Sequence, residues 1–173
     1  MKVTPTGAVL GATVDGLDLS RPLSESEFAD VLVALGRYGV LRFPGQDLTS
    51  RALKEFAERF GDIQASISGN SGHDPEVPEV GFLSNIKENG RYIGAPDAGQ
   101  DWHTDMSYRE VMGFVNVLYG VTIPRRDGRV LGGTEFSNMH AAYDGLPDDV
   151  KARLRDATAV HDFEKFWEHM RRD

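Results

Sequence analysis

The segment that most restricts how this chain can fold is an alternating stretch at residues 114–124, FVNVLYGVTIP. Neighbouring side chains of a β-strand point to opposite faces, so alternation of this kind predicts a strand. One predicted face is wholly apolar or aromatic, and the other is mixed. The first face holds Val115, Val117, Tyr119, Val121 and Ile123, and the second holds Asn116, Leu118, Gly120 and Thr122.

A first amphipathic segment, LSESEFADVLVALGRYG, predicts a helix in the N-terminal part of the chain. Ser24 and Glu27 have the spacing of a capping box, which marks a helix start. Gly36 or Gly39 can end the helix, because glycine tolerates the left-handed conformation common at that position. One helical face carries the apolar residues Phe28, Val31, Leu32 and Leu35.

A second helix is predicted in LTSRALKEFAERFG, with Thr49 or Ser50 as its N-cap and Gly61 as its C-cap. The apolar residues of this helix again recur at i, i+3, i+4 and i+7. We expect both apolar stripes to be core rather than a cofactor-binding surface. The second stripe consists of Leu53, Phe56, Ala57 and Phe60.

The rest of the chain predicts short strands, loops and further helix. Strands are expected within 7–19, at 40–43 and at 80–86, whereas most of 64–101 predicts long binding loops. Residues 125–133 predict a polar, glycine-rich turn. The segment after it passes from strand into a short helix, and from Pro147 a helix, or a helix plus a second amphipathic piece, continues to the end. We expect one domain over 1–173.

Composition excludes several classes of protein. The chain has 173 residues, a formal charge of −8 and no clustered Lys or Arg surface that would indicate nucleic-acid binding. It contains no cysteine, so a metal site must use His, Asp or Glu. Neither a signal peptide nor a membrane-spanning apolar run is recognisable, and we expect a cytoplasmic protein.

The candidate chemical motif is DWHTDMSYRE at 101–110, which places His103 two residues before Asp105. If 102–108 is a strand, both side chains lie on one face and can converge on one ion. Imidazole and carboxylate are the donors of 2-His-1-carboxylate sites for non-haem Fe(II). The spacing is common, however, and it also fits a surface histidine beside an exposed aspartate.

Four blocks, in order, resemble the taurine dioxygenase and 2,4-D dioxygenase family of Fe(II)- and 2-oxoglutarate-dependent oxygenases. The blocks are GAVLGATVDGLDLSRPL, YGVLRFPGQDLT with FAERFGDI, DWHTDMSY, and GGTEFSNMHAAYDGLP. The resemblance implies a mainly β fold with flanking helices (α+β). Its core would be a double-stranded β-helix, or jelly roll, incomplete at the C-terminal end.

The same resemblance implies a site and a reaction. His103 and Asp105 would be two of three iron ligands, and Thr134 would hydrogen-bond a carboxylate of 2-oxoglutarate. Tyr108 and Ser66 would line the substrate pocket, although Tyr108 could instead pack in the sheet. The implied enzyme is a dioxygenase that uses O2 to hydroxylate a small, anionic organic substrate while 2-oxoglutarate becomes succinate and CO2. Hydroxylation leads to cleavage if the hydroxylated carbon bears a heteroatom. No nucleic-acid or membrane partner is expected, and we expect a homo-oligomer.

The family's third ligand, a second histidine, and its 2-oxoglutarate-binding arginine have no counterparts before Asp173. His73 and His140 are expected not to bind metal, and His161 and His169 are poor replacements. We therefore expect the chain to be the N-terminal portion of a longer product. Two alternatives stay open: a non-catalytic binding or scaffold domain of the same fold, and a metal-dependent hydrolase using His103 and Asp105.

Overall fold

The computed structural model describes residues 1–7, 9–64, 72–96, 99 and 101–164. The chain divides into two units, each made of two stretches of sequence. The first unit comprises Met1–Arg59 and Val117–Asp148, and the second comprises Phe60–Asn116 and Asp149–Asp173. The single domain expected over 1–173 stays a prediction.

A three-stranded sheet forms the first unit's centre, with strands β1 (Lys2–Pro5), β2 (Ala12–Asp15) and β3 (Leu41–Arg42) in that order. β1 pairs antiparallel with β2, with Val3 opposite Val14, and β2 pairs parallel with β3. Ala12 and Val14 are almost completely buried. The strands expected within 7–19 and at 40–43 are therefore present as β2 and β3, while β1 lies outside the predicted ranges.

Helix α1 (Glu25–Tyr38) connects β2 to β3, since parallel neighbours need a crossover connection. The predicted capping box is present: Ser24 Oγ accepts from the Glu27 amide, and the Glu27 carboxylate accepts from the Ser24 amide. Gly39, at φ 69°, ends the helix. The predicted apolar face is only partly correct, because Leu32 is 39% exposed and the buried residues are Phe28, Val31 and Ala34.

Helix α2 (Ser50–Glu58) begins at Thr49, whose side chain accepts from the Ala52 amide, as predicted. It ends at Arg59 in the right-handed helical conformation, so the expected cap at Gly61 is wrong. Phe56 is the buried member of its stripe and packs edge-on against Phe43, with ring centres 5.9 Å apart.

Two further helices follow, α3 (Met139–Asp144) and α4 (Asp148–Leu154). The α3 N-cap is Asn138, whose Oδ1 accepts from the Ala141 amide while its Nδ2 donates to the Val9 carbonyl. α4 starts directly after Pro147, as predicted. Residues 155–162 are not helical and residues 163–164 are helical again, so the predicted single helix is wrong, whereas the predicted alternative of a helix plus a second piece is not contradicted. Among the described residues, no helix combines the length and apolarity needed to cross a membrane.

Two short hairpins also form among the described residues. β4 (Lys87–Glu88) pairs with β5 (Arg91–Tyr92), and β6 (Arg125–Arg126) pairs with β7 (Arg129–Val130). Both turns are an Asn-Gly or Asp-Gly pair in which each residue has positive φ, the geometry that fits the twist of a two-residue hairpin. The second hairpin lies within the predicted turn at 125–133, and the first lies within the predicted loops.

Two predicted strands are not formed. Within 80–86 only isolated bridges occur, from Gly81 to His73 and from Leu83 to Ala95. The segment 114–124 is not part of any described sheet, although Val115, Val117 and Tyr119 are more buried than their neighbours. The alternation therefore shows which side chains share a face. A β-sheet also needs a partner strand with which to form hydrogen bonds, and the described residues provide none for this segment. A mixed helix and strand fold is confirmed, and the double-stranded β-helix stays an expectation.

Candidate metal site

His103 and Asp105 converge in the second unit, although the strand that was to bring them together is absent. Residues 102–104 are irregular and 105–108 form a turn in which Met106 has φ 57°. His103 Nε2 nevertheless lies 3.2 Å from Asp105 Oδ1. The predicted strand is wrong. The two side chains approach each other as predicted, but a turn rather than a strand brings them together.

The orientation of the His103 ring is fixed from its other nitrogen. Nδ1 lies 2.6 Å from the carbonyl oxygen of Asp101. A carbonyl can only accept, so Nδ1 carries the proton. In the neutral ring the lone pair is then on Nε2, the atom that faces Asp105. A hydrogen bond from the distal nitrogen to a carbonyl is a common support for a metal-binding histidine.

The Asp105 carboxylate is held by a residue that sequence reasoning did not single out. Asn116 Nδ2 donates to Asp105 Oδ2 at 2.6 Å, leaving Oδ1 on the side of His103. Asn116 was assigned only to the mixed face of the predicted strand at 114–124. The available signal was an isolated amide between Val115 and Val117, on the less apolar face.

The separation of the two donors suits adjacent ligands of one cation. Ligands at 90° on an octahedral ion with bonds of about 2.1 Å lie about 3.0 Å apart. The observed 3.2 Å is close to this value, and it is also a hydrogen-bonding distance for a protonated histidine. Imidazole nitrogen with carboxylate oxygen is a donor pair used for ferrous iron. The pair therefore fits a metal ion as two of its ligands.

A third protein donor is not found in the part of the chain that the structure describes, where no group of three His, Asp or Glu residues could hold a metal. His73 pairs with Gly81, His140 lies in α3, and His161 lies in the irregular stretch after α4. His169 lies outside the described residues.

The side chains of His103 and Asp105 are 41% and 54% exposed, so the pair is open to solvent.

The remaining predicted site residues are placed as follows. Tyr108 packs its ring against Phe163, with centres 4.5 Å apart, and donates its hydroxyl to Met106 Sδ at 3.4 Å. Thr134 is exposed in the irregular segment between β7 and α3 of the first unit. Ser66 lies outside the described residues.

The structure thus brings together His103, Asp105 and Asn116, and gives Tyr108 a packing contact within the same unit.

These features define a mixed helix and strand protein with a candidate two-donor cation site. The family model described as "Taurine catabolism dioxygenase TauD, TfdA family" matches residues 2–172. The chain belongs to this family.

Relatives and a solved structure agree with this membership. Pentalenolactone F synthase of Streptomyces avermitilis is 35% identical over 94% of this chain and 53% of its own length. The (S)-phenoxypropionate/alpha-ketoglutarate-dioxygenase of Delftia acidovorans is 33% identical over 93% of this chain and 54% of its own length. The crystal structure of AAD-2 in complex with Mn(II) and N-oxalylglycine is 28% identical, with a TM-score of 0.65 over 90% of this chain and 54% of that one. The chain spans about half the length of the curated relatives it matches.

Proposed function

We propose that the protein is an Fe(II)- and 2-oxoglutarate-dependent dioxygenase that hydroxylates a small, anionic organic substrate and releases succinate and CO2. The observation that carries this proposal is the convergence of His103 Nε2 and Asp105 Oδ1 at 3.2 Å in a member of this family. The crystal structure of AAD-2, which has Mn(II) and N-oxalylglycine bound, supports the same cofactor assignment.

The roles of the residues follow from their contacts. His103 would bind the ion through Nε2, because Nδ1 is committed to the Asp101 carbonyl. Asp105 would bind through Oδ1, because Oδ2 accepts from Asn116. When bound, iron and 2-oxoglutarate supply the oxidative chemistry, and the protein's task is to bind and orient the reactants.

Thr134 is proposed to donate a hydrogen bond to a carboxylate of 2-oxoglutarate, since an anion removed from water must be paired. This role requires the double-stranded β-helix that the resemblance implies. The third iron ligand and the arginine for 2-oxoglutarate would be provided by sequence that the relatives have beyond the matched half. An anionic substrate is proposed because the Delftia relative is named for phenoxypropionate, a carboxylate. Tyr108 and Ser66 are proposed to contact it.

The test is succinate formation by protein expressed from the complete reading frame, with Fe(II), 2-oxoglutarate, O2 and an aryloxypropionate as probe substrate. We expect succinate to form only when both Fe(II) and 2-oxoglutarate are present, and the Asp105→Ala variant to lose this activity. Equal succinate formation by the wild type and Asp105→Ala would reject the site. Absence of both turnover and metal binding would favour a non-catalytic scaffold domain, and 2-oxoglutarate-independent hydrolysis with Zn(II) would favour a hydrolase.

A further inference from the structure

The two oxygens of the Asp105 carboxylate have different surroundings. Oδ1 faces His103 Nε2 at 3.2 Å, and Oδ2 accepts from Asn116 Nδ2 at 2.6 Å. An ionised carboxylate only accepts hydrogen bonds, so this contact also fixes which end of the Asn116 amide points toward it. Hydrogen bonds to an ionised acceptor are among the stronger ones in proteins.

We infer that Asn116 is a positioning residue that fixes the Asp105 carboxylate so that Oδ1 alone faces the metal. This inference rests on the proposed metal site and deepens it. Asp105 is 54% exposed and its carboxyl torsion is intrinsically broad, so packing does little to select one orientation. The amide of Asn116 supplies the missing restraint from 11 residues further along the chain.

The consequence concerns the number of coordination positions that the protein occupies. A carboxylate that binds through both oxygens takes two positions on the ion, whereas one whose second oxygen is hydrogen-bonded takes one. A three-ligand site for ferrous iron works by leaving positions open. Asn116 therefore acts on the metal through Asp105, keeping that aspartate a one-oxygen ligand, and it need not touch the ion or the substrate itself.

The same unit holds a matching support for the second donor. The Asp101 carbonyl fixes His103 through Nδ1, as Asn116 fixes Asp105 through Oδ2. Each candidate ligand thus has one atom directed toward its partner ligand and one atom held by a neighbour. A backbone carbonyl cannot be removed by substitution, but the Asn116 side chain can, which makes Asn116 the testable member of this arrangement.

The test compares wild-type protein from the complete reading frame with Asn116→Ala and Asn116→Leu, using Mn(II) as the probe. Leucine keeps the approximate shape of asparagine but has no donor. Titration calorimetry gives the Kd, and infrared difference spectra with carbon-13-labelled aspartate give the separation of the two carboxylate stretching bands. That separation is wide for binding through one oxygen and narrower for binding through two. The control is Asn85→Ala, at an exposed asparagine of the same unit.

We expect both Asn116 variants to bind Mn(II) about 10- to 100-fold more weakly, the usual effect of losing an outer partner of a metal ligand. We also expect their band separation to narrow, while Asn85→Ala keeps the wild-type values. A purely structural role would lower the thermal midpoint without changing the bands of the bound state. If the wild type binds Mn(II) and both Asn116 variants keep its Kd and its band separation, the inference about Asn116 is wrong, but the proposed metal site is not affected. Absence of Mn(II) binding by the wild type overturns the proposed metal site and the inference together.

Discussion

The guanidinium carbon of Arg59 lies 4.3 Å from the centre of the Phe28 ring. From the same side chain, Nη1 donates to the Leu23 carbonyl at 2.8 Å and Nη2 donates to Glu25 Oε1 at 2.9 Å. One residue at the end of α2 therefore contacts the start of α1 in three ways. Glu25 is 94% exposed, so its ion pair contributes little, and the ring contact and the carbonyl bond matter more.

Arg59→Lys is expected to lower the free energy of unfolding by about 1–2 kcal/mol. A lysine ammonium is a point charge and cannot lie flat on Phe28 while bonding the Leu23 carbonyl, as a planar guanidinium does. Urea denaturation followed by far-UV circular dichroism measures the change. Arg51→Lys, at an exposed position of the same helix, is the control and should stay within about 0.5 kcal/mol of wild type. Equal stability of the two variants would contradict the stacking role.

Val31→Ala is expected to lower the free energy of unfolding by about 2 kcal/mol, because it removes two buried carbon atoms and leaves a small cavity. Val31 is 1% exposed, whereas Val33 on the same helix is 73% exposed. Val33→Ala makes the same chemical change on the solvent side and should have an effect of less than about 0.5 kcal/mol. Comparing the two urea midpoints tests which face of α1 is buried. A larger loss for Val33→Ala would mean that the helix is rotated.

Glu27 is expected to make the first unit more sensitive to acid. The Ser24 amide, followed by Arg21 and the Ser24 hydroxyl, lowers the pKa of the Glu27 carboxyl from 4.5 to about 2. Because the folded pKa is the lower one, this stabilisation is complete above about pH 4.5 and is lost as the pH falls toward 2. Between about pH 5 and pH 2.5, the urea midpoint of Glu27→Gln should therefore fall by less than that of the wild type.

The matched control for this pH experiment is Asp30→Asn, which removes one negative charge from an exposed position of the same helix. It is expected to keep the wild-type decrease in urea midpoint. If the urea midpoint of Glu27→Gln falls by as much as that of the wild type between about pH 5 and pH 2.5, the capping interaction does not contribute to acid sensitivity.

Local signals in the sequence predicted local structure well. The Ser24–Glu27 capping box, the Thr49 cap and the end of α1 at Gly39 each depend on residues within one helical turn. The Asn89-Gly90 turn carries an equally local signal, since both residues adopt positive φ between β4 and β5, but this hairpin was not predicted and its residues were assigned to loops. Such features depend only on residues close together in the chain, so the local sequence is enough to predict them.

Features that need distant partners were harder to predict. The alternation at 114–124 shows which side chains share a face, but it does not say whether a second strand lies alongside. The site shows the same division: His103 and Asp105 are two residues apart and were identified, although a turn rather than a strand joins them. Asn116 was missed because its contact with Asp105 depends on how the chain returns after residue 105, which no local pattern records.

His103→Ala is expected to weaken Fe(II) binding, measured without oxygen by titration calorimetry, by more than about 100-fold. A lost ligand should cost more than a lost outer partner, for which the upper range is about 100-fold. Its 41% exposure means that the fold should tolerate the change, so the thermal midpoint should stay near that of wild type. His140→Ala and His161→Ala remove imidazoles from α3 and from the stretch after α4, and both should bind Fe(II) as the wild type does. If His161→Ala abolishes binding while His103→Ala retains it, the ion is held elsewhere, and the pair at 103 and 105 is a surface hydrogen bond.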